Sequence, residues 1–327
     1  MDNKTSPFRN IIIGVIIIAA VAIIFIIVNF KETLNIYSGS YDEEVHKLTP
    51  DGKIIWEYTG HEKGVTILAV DLEGNIYSGS WDMEIHKVDP DGNLIWRYSG
   101  HSPEVSGETG HGGAIFGLAV DQNGYVYSGG TDWEVHKIDP DGNNVWEYTE
   151  HTFNVYGVAV GQDGYVYSGS LDKEVHKISP DGQNVWKYKG HNDWVRGVAV
   201  DKDGYVYSGG FDGEVHKIDS DGNNVWIYTG NTEQVWSVAV DQKGYVYSGN
   251  VDGKVHKIDP DGNNVWVYQE HTGSIEGITV DKYGNVYTAS FDGEVHKISP
   301  RGKNIWKYAG HNSYVYSVAV EQHKLKK

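Results

Sequence analysis

The chain has 327 residues, of which 13% are aromatic, and it is long enough for one large all-β domain or two ordinary domains. Its 27 basic and 45 acidic residues give a formal net charge of −18. Such an acidic surface repels phosphate backbones, so a nucleic-acid partner is not expected. The absence of cysteine excludes disulfides, thiolate metal sites and cysteine nucleophiles.

The first predicted element is a transmembrane helix. Residues 11–28 form an apolar, Ile-rich run without a charge, and 18 residues of helix span about 27 Å, close to the hydrocarbon thickness of a bilayer. We predict a short tail over 1–10, a helix over 11–30 and a linker over 31–34. Ala20-Val21-Ala22 resembles a signal-peptide cleavage site, but the apolar run continues to Val28, which favours an uncleaved anchor.

The charges around this helix predict its orientation. Lys4 and Arg9 precede the helix, whereas Lys31 and Glu32 cancel after it. By the positive-inside rule, the N-terminus is cytoplasmic and the rest of the chain is extracytoplasmic or on the cell surface, as in a single-pass membrane protein.

A repeat of about 40 residues follows the helix and determines the expected fold. The step is 40 residues except once, where ten extra residues lie between His101 and His111. Three residue types recur in register: Tyr37, Tyr77, Tyr127, Tyr167, Tyr207, Tyr247 and Tyr287; His46, His86, His136, His176, His216, His256 and His296; and Trp56, Trp96, Trp146, Trp186, Trp226, Trp266 and Trp306.

Each unit contains four short β-patterned runs separated by Gly, Asp, Asn and Pro turns. In the copy that starts at Val155 the runs are VYGVAV, YVYSGS, EVHKI and NVWEY. Seven such sheets around an axis bury their faces and limit exposed edges. The chain enters at Asn35 in a second strand and supplies a first strand over Tyr314 to Glu321. We therefore predict an all-β, seven-bladed propeller over 35–321, closed by its C-terminal strand onto the N-terminal blade, with a basic tail over 322–327.

The repeat resembles those of three propeller families. Gly190-His191, Gly-Val-Ala-Val and Ser-Gly-Ser-x-Asp at Ser168 to Asp172 are similar to WD repeats. That resemblance implies a structural hydrogen-bonded network of His151, Ser170 and Asp172, with Ile178 at the family's Trp position. Val-Asp-x-x-Gly-Tyr-Val-Tyr resembles NHL-type repeats, and Trp-x-Tyr on the fourth strand resembles quinoprotein-type blades. A quinone cofactor would imply eight blades and a metal-binding carboxylate set, and the sequence shows neither.

Residues with catalytic or metal-binding potential recur with the repeat, which favours structural roles. The strand histidines are spread around the ring, whereas a metal needs ligands that converge on one ion, so no metal site is expected. The Asp-rich turns lack the full D-x-D-x-D-G pattern with its distal Glu; turn chemistry explains them, and weak Ca²⁺ binding is the alternative. The Trp-x-Tyr pairs are expected to fill the space between blades. No G-x-S-x-G motif is present, and neither an enzyme nor a bound cofactor is predicted.

Positions that differ among the copies point to a binding face. The residue between Ser or Gly and Asp in the turn from second to third strand is mostly large and apolar, although exposed turns are usually polar. The junction from fourth to first strand varies too, at the same end of each blade, here called the top face. The predicted top-face binding residues are Tyr41, Trp81, Trp133, Phe153, Trp194, Phe211, Phe291 and Tyr314.

Together these features predict a membrane-anchored, non-enzymatic recognition or assembly module that presents its top face for protein binding. One alternative is a filament or surface-layer subunit that self-assembles through the hydrophobic helix. Another is a surface propeller that binds glycans by stacking its exposed aromatic side chains on sugar rings.

Overall fold

A computed structural model of the chain describes residues 34–101 and 113–321. These residues form 28 strands in seven four-stranded antiparallel sheets, which confirms the predicted seven-bladed propeller. The predicted tail, the predicted helix over 11–30, most of the linker, the inserted loop and the basic tail lie outside the described residues. Within residues 34–101 and 113–321, no helix is long and apolar enough to cross a membrane.

The strands occupy four positions in each blade, from the central axis outward. The first strands are β4 (Val65–Val70), β8 (Ile115–Val120), β12 (Val155–Val160), β16 (Val195–Val200), β20 (Val235–Val240), β24 (Ile275–Val280) and β28 (Val315–Val320). The second strands are β1 (Ile36–Ser40), β5 (Ile76–Ser80), β9 (Val126–Gly130), β13 (Val166–Ser170), β17 (Val206–Gly210), β21 (Val246–Asn250) and β25 (Val286–Ser290).

The outer half of each blade consists of a short buried strand and an edge strand. The third strands are β2 (Val45–Leu48), β6 (Ile85–Val88), β10 (Val135–Ile138), β14 (Val175–Ile178), β18 (Val215–Ile218), β22 (Val255–Ile258) and β26 (Val295–Ile298). The fourth strands are β3 (Ile54–Tyr58), β7 (Leu94–Tyr98), β11 (Asn144–Tyr148), β15 (Asn184–Tyr188), β19 (Asn224–Tyr228), β23 (Asn264–Tyr268) and β27 (Asn304–Tyr308).

The two ends of the described chain share one blade. Its strand order is β28-β1-β2-β3, and β28 pairs antiparallel with β1 from Ile36 opposite Val320 to Ser40 opposite Val315. Glu321 fixes this closure, because its carboxylate accepts hydrogen bonds from the Asn35 side chain at 2.9 Å and the Tyr37 hydroxyl at 2.6 Å. The predicted closure of the N-terminal blade by the C-terminal strand is therefore present in the structure.

The core consists of seven similar apolar clusters between neighbouring blades. The repeated Tyr of each second strand is fully buried, as is the Val or Ile that directly precedes it. One cluster combines Tyr167 and Val175 of one blade with Val195, Val206 and Ile218 of the next. Each blade thus buries one face against its neighbour, which a single four-stranded sheet cannot do.

Candidate functional site

The seven repeated strand histidines connect neighbouring blades. The Tyr148 hydroxyl, at the end of β11, lies 2.7 Å from Nδ1 of His176 in the next blade. The other ring nitrogen, Nε2, lies 3.0 Å from the Glu174 carboxylate. Because that carboxylate accepts a hydrogen bond, Nε2 carries the proton and Nδ1 accepts from the tyrosine. All seven tyrosine–histidine pairs are formed, and Tyr308 with His46 closes the ring.

A second set of histidines lies at the junctions between blades, where the predicted residue His151 contacts the predicted Asp172 and a serine other than the predicted one. His151 Nδ1 lies 2.8 Å from Asp172, and its Nε2 lies 2.8 Å from the Ser168 hydroxyl. The predicted serine, Ser170, is wrong, because Ser170 donates to the Phe153 carbonyl and accepts from the Asp172 amide. Ser168 and Ser170 lie on the same face of β13, so strand alternation alone does not distinguish them.

Burial keeps the strand histidines neutral. The His151 and His176 rings stack with centroids 3.8 Å apart. Burial, together with the neighbouring His151, lowers the pKa of His176 to about 3. Burial raises the pKa of Asp172, but the hydrogen bond and charge of His151 outweigh it and bring that pKa down to about 2. The neutral strand histidines act as hydrogen-bonded spacers between blades.

These clusters are unsuited to a metal ion despite their composition. His61, Asp82 and His86 place potential ligand atoms close together, and similar groups recur in other blades. However, both nitrogens of His61 are engaged by Asp82 and Ser78, and both nitrogens of His86 by Tyr58 and Glu84. The two rings are stacked 6° from parallel. Since nitrogen lone pairs lie in the ring plane, parallel rings do not direct them to one point.

The Trp-x-Tyr pairs also connect blades. The Trp146 indole donates to the Pro180 carbonyl of the next blade at 3.1 Å, and its ring covers Gly182. The Asp-rich turns are held by their own backbone: the Asp139 carboxylate accepts hydrogen bonds from the amides of Asp141 and Asn143. Both arrangements follow the structural roles that the sequence predicts.

The eight predicted top-face residues divide into two groups by exposure. Four have 40–53% of their surface exposed: Tyr41, Phe153, Trp194 and Tyr314. The other four are half-buried: Trp81, Trp133, Phe211 and Phe291. Each exposed ring contacts a ring that is less exposed; Trp194, for example, lies 5.2 Å from Phe211 and Phe153 lies 5.9 Å from Trp133. The half-buried rings thus support the exposed ones.

The structure brings several of these residues together at the upper mouth of the central channel. A cavity of about 220 Å³ lies there. We call its aromatic lining the collar, which comprises Trp81, Phe116, Tyr156, Trp194, Phe211, Trp236, Phe291 and Tyr316. Leu171 and Arg196 complete the lining. Tyr41, Trp133, Phe153 and Tyr314 lie outside this cavity.

Half of the collar comes from a position that the sequence analysis missed. The second residue of each first strand forms what we call the channel ring: Thr66, Phe116, Tyr156, Arg196, Trp236, Glu276 and Tyr316. Each lies where the pairing of first and second strands shifts register, as between Val155 and Gly157 around Tyr156. Such a bulge redirects a side chain. The sequence does contain a signal for these residues: the second position of the first strand varies among the copies, whereas the residues on either side of it hardly change.

One buried ion pair interrupts the aromatic channel ring. Arg196 Nη2 donates to Glu276 Oε2 at 2.9 Å, from two blades away. The guanidinium lies 3.9 Å from the Trp236 ring centre and 5.3 Å from that of Tyr156, within cation–π range. Burial raises the pKa of Glu276 to about 7, although Arg196 opposes the shift. The pair is the clearest departure from sevenfold symmetry in the channel.

The fold and the repeated contacts between neighbouring blades, here called the seams, define the chain as a β-propeller built from repeats. The top mouth of its channel differs from the repeated parts, because aromatic side chains line it. A family model described as outer membrane protein assembly factor BamB matches residues 30–149 and 171–314. This match covers most of the chain, so the chain belongs to that family of quinoprotein-type propeller repeats. The WD-type and NHL-type resemblances remain predictions.

A solved structure shares the fold at low sequence identity. The crystal structure of the computationally designed Ika8 protein is similar, with 23% identity, 86% coverage of each chain and a TM-score of 0.67. No curated protein matches the sequence. At this identity the likeness concerns the fold alone.

Proposed function

We propose that this protein is a non-enzymatic recognition or assembly module that binds a protein partner through the top face of its propeller. This proposal rests on the exposed aromatic rings of Tyr41, Trp194 and Tyr314. Each of these rings packs against a less exposed aromatic ring, which holds it in place at the surface. Rigid aromatic side chains contribute disproportionately to protein interfaces. Membership of the BamB-type family supports a role in protein interaction or assembly.

We further propose that residues 11–30 anchor the module in a membrane, with the propeller extracytoplasmic. This part of the proposal rests on the apolar run of residues 11–28 and on the preceding Lys4 and Arg9. Protease added to intact cells is expected to digest the propeller. Protection that is lost only after lysis would show the opposite orientation.

Site-specific photo-crosslinking in intact cells tests the binding face. A photoreactive phenylalanine analogue replaces Tyr41 or Tyr314 on the top face, or Ile55 or Val225 on the outer edge strands. These four residues are about half exposed, between 47% and 53%, so they are matched in accessibility. We expect a discrete protein adduct from the top-face positions only.

The pattern of adducts also shows whether the partner is another copy of this chain. An adduct between two copies of this chain would indicate self-assembly through the top face. Adducts of equal yield from Ile55 and Val225 would contradict a specific top-face site.

A further inference from the structure

Below the collar, the first strands of the seven blades enclose a chamber of about 350 Å³. The channel ring forms its upper end. Val70 and Val120 line both this chamber and the cavity at the lower mouth, so the chamber adjoins that mouth. Its volume lies within the range of about 300–1,000 Å³ that is usual for small-molecule sites.

Three buried polar atoms on the residues that line this chamber lack a hydrogen-bond partner within residues 34–101 and 113–321. They are Arg196 Nη1, Glu276 Oε1 and Ser237 Oγ. The Glu276 side chain is 99% buried, since only 1% of its surface is accessible. Buried polar groups are nearly always satisfied, so each such atom calls for an explanation.

The ion pair uses only one polar atom of each side chain. Arg196 and Glu276 contact each other through one atom each, Nη2 and Oε2. Within the described residues, the second nitrogen of the guanidinium, Nη1, has no acceptor, and the second oxygen of the carboxylate, Oε1, has no donor at hydrogen-bond distance, although the Ser274 side chain also acts on this carboxylate and lowers its pKa. A ligand that bridges them must therefore carry an acceptor for Arg196 and a donor for Glu276.

Charge balance narrows the class of ligand. When Glu276 is ionised it neutralises Arg196, so a ligand with a net charge would bury that charge uncompensated, which is unfavourable. A zwitterion has no net charge, and its carboxylate and ammonium groups would form charge-assisted hydrogen bonds with Arg196 and Glu276, which are stronger than neutral ones. Aliphatic residues also line the chamber, Leu118, Val158 and Ile278 among them.

We propose that the central channel binds a small zwitterionic α-amino acid with an apolar side chain. Its carboxylate accepts a hydrogen bond from Arg196 Nη1, its ammonium donates to Glu276 Oε1, and the Ser237 hydroxyl supplies a further contact. The aliphatic side chain packs against the aliphatic residues of the chamber. This site lies below the collar, with which it shares Arg196. It needs no protein partner, so it goes beyond the function proposed above.

Three probes with the same aliphatic skeleton test the assignment on the full-length protein in detergent. They are L-leucine, 4-methylpentanoate, which lacks the amine, and 3-methylbutylamine, which lacks the carboxylate. We expect isothermal titration calorimetry to detect leucine binding and each analogue to bind at least about tenfold more weakly, because each leaves one partner of the ion pair unsatisfied.

Variants of the ion pair assign the binding to this site. Glu276→Gln is expected to weaken leucine binding at least about tenfold, since it removes the charge that faces the ammonium. The double variant Arg196→Met with Glu276→Met removes the pair without leaving a buried charge, so it keeps the fold and loses binding; an unchanged melting temperature verifies the fold.

Three results would overturn the proposal. If leucine produces no binding heat, water alone fills the chamber. If either analogue binds as tightly as leucine, or the double variant binds normally, the ion pair does not recognise a zwitterion.

Discussion

The C-terminal strand closes the propeller, so its removal is expected to destabilise the whole domain. Deletion of residues 315–327 removes β28 and exposes β1 as an open edge. It removes three buried valines, Val315, Val318 and Val320, which are at most 5% exposed. At about 1.5–3 kcal/mol for each buried valine, the loss is roughly 5–9 kcal/mol. That equals much of the usual free energy of unfolding of a domain, about 5–15 kcal/mol.

Thermal unfolding followed by circular dichroism measures the effect. Deletion of residues 322–327 alone is the matched control, because it leaves β28 and Glu321 in place. We expect the short deletion to leave Tm unchanged and the long deletion to lower it greatly or cause aggregation through the open edge. Equal Tm values for the two deletions would refute the closure of the ring by β28.

Three further predictions concern the seams between blades. Stability should fall as the pH drops below about 6. The pKa values of His86, about 4, and His176, about 3, are depressed in the folded protein, so the unfolded chain takes up protons at a higher pH than the folded one. The Tm should therefore fall between pH 7 and pH 3, and a Tm that does not change with pH would contradict neutral histidines at the seams. Tyr148→Phe removes the hydroxyl that satisfies His176 and should cost about 1–3 kcal/mol in denaturant unfolding, whereas Tyr283→Phe, on an exposed side chain, should cost almost nothing. Gly182→Ala should destabilise the protein more than Gly204→Ala. Both glycines have a positive φ, but only at Gly182 would the added Cβ lie 3.0 Å from the indole ring of Trp146. Equal losses of stability would mean that only the backbone conformation matters.

The sequence predicted the blades well because their determinants are local and repeated sevenfold. Strand number and order follow from the repeat period and from the four apolar runs and turn residues of each unit. The positions of the first and last runs also show that one blade combines strands from both ends of the repeat region. The seam tyrosines and histidines were also recognisable, since a residue repeated in every copy serves a demand common to every blade.

The channel ring could not be read in the same way. Whether the side chain of Tyr156 enters the channel depends on a bulge in its strand, and alternation along VYGVAV does not show where the bulge lies. The contact between Arg196 and Glu276 joins residues 80 positions apart, which only the curvature of a seven-membered ring brings together. The choice of Ser168 over Ser170 likewise depends on the position of His151 after folding.

The binding of the cross-linked partner to two matched triple variants tests the central claim most directly. One variant replaces Tyr41, Trp194 and Tyr314 by Ala, and the other replaces the similarly exposed outer residues Ile55, Ile95 and Val225 by Ala. We predict that the first variant loses at least about 2 kcal/mol of binding free energy for each ring that contacts the partner, while its Tm changes little. The second variant is expected to bind normally. Normal binding by the first variant, or a loss of binding that accompanies a collapse in its Tm, would contradict the top face as the binding site.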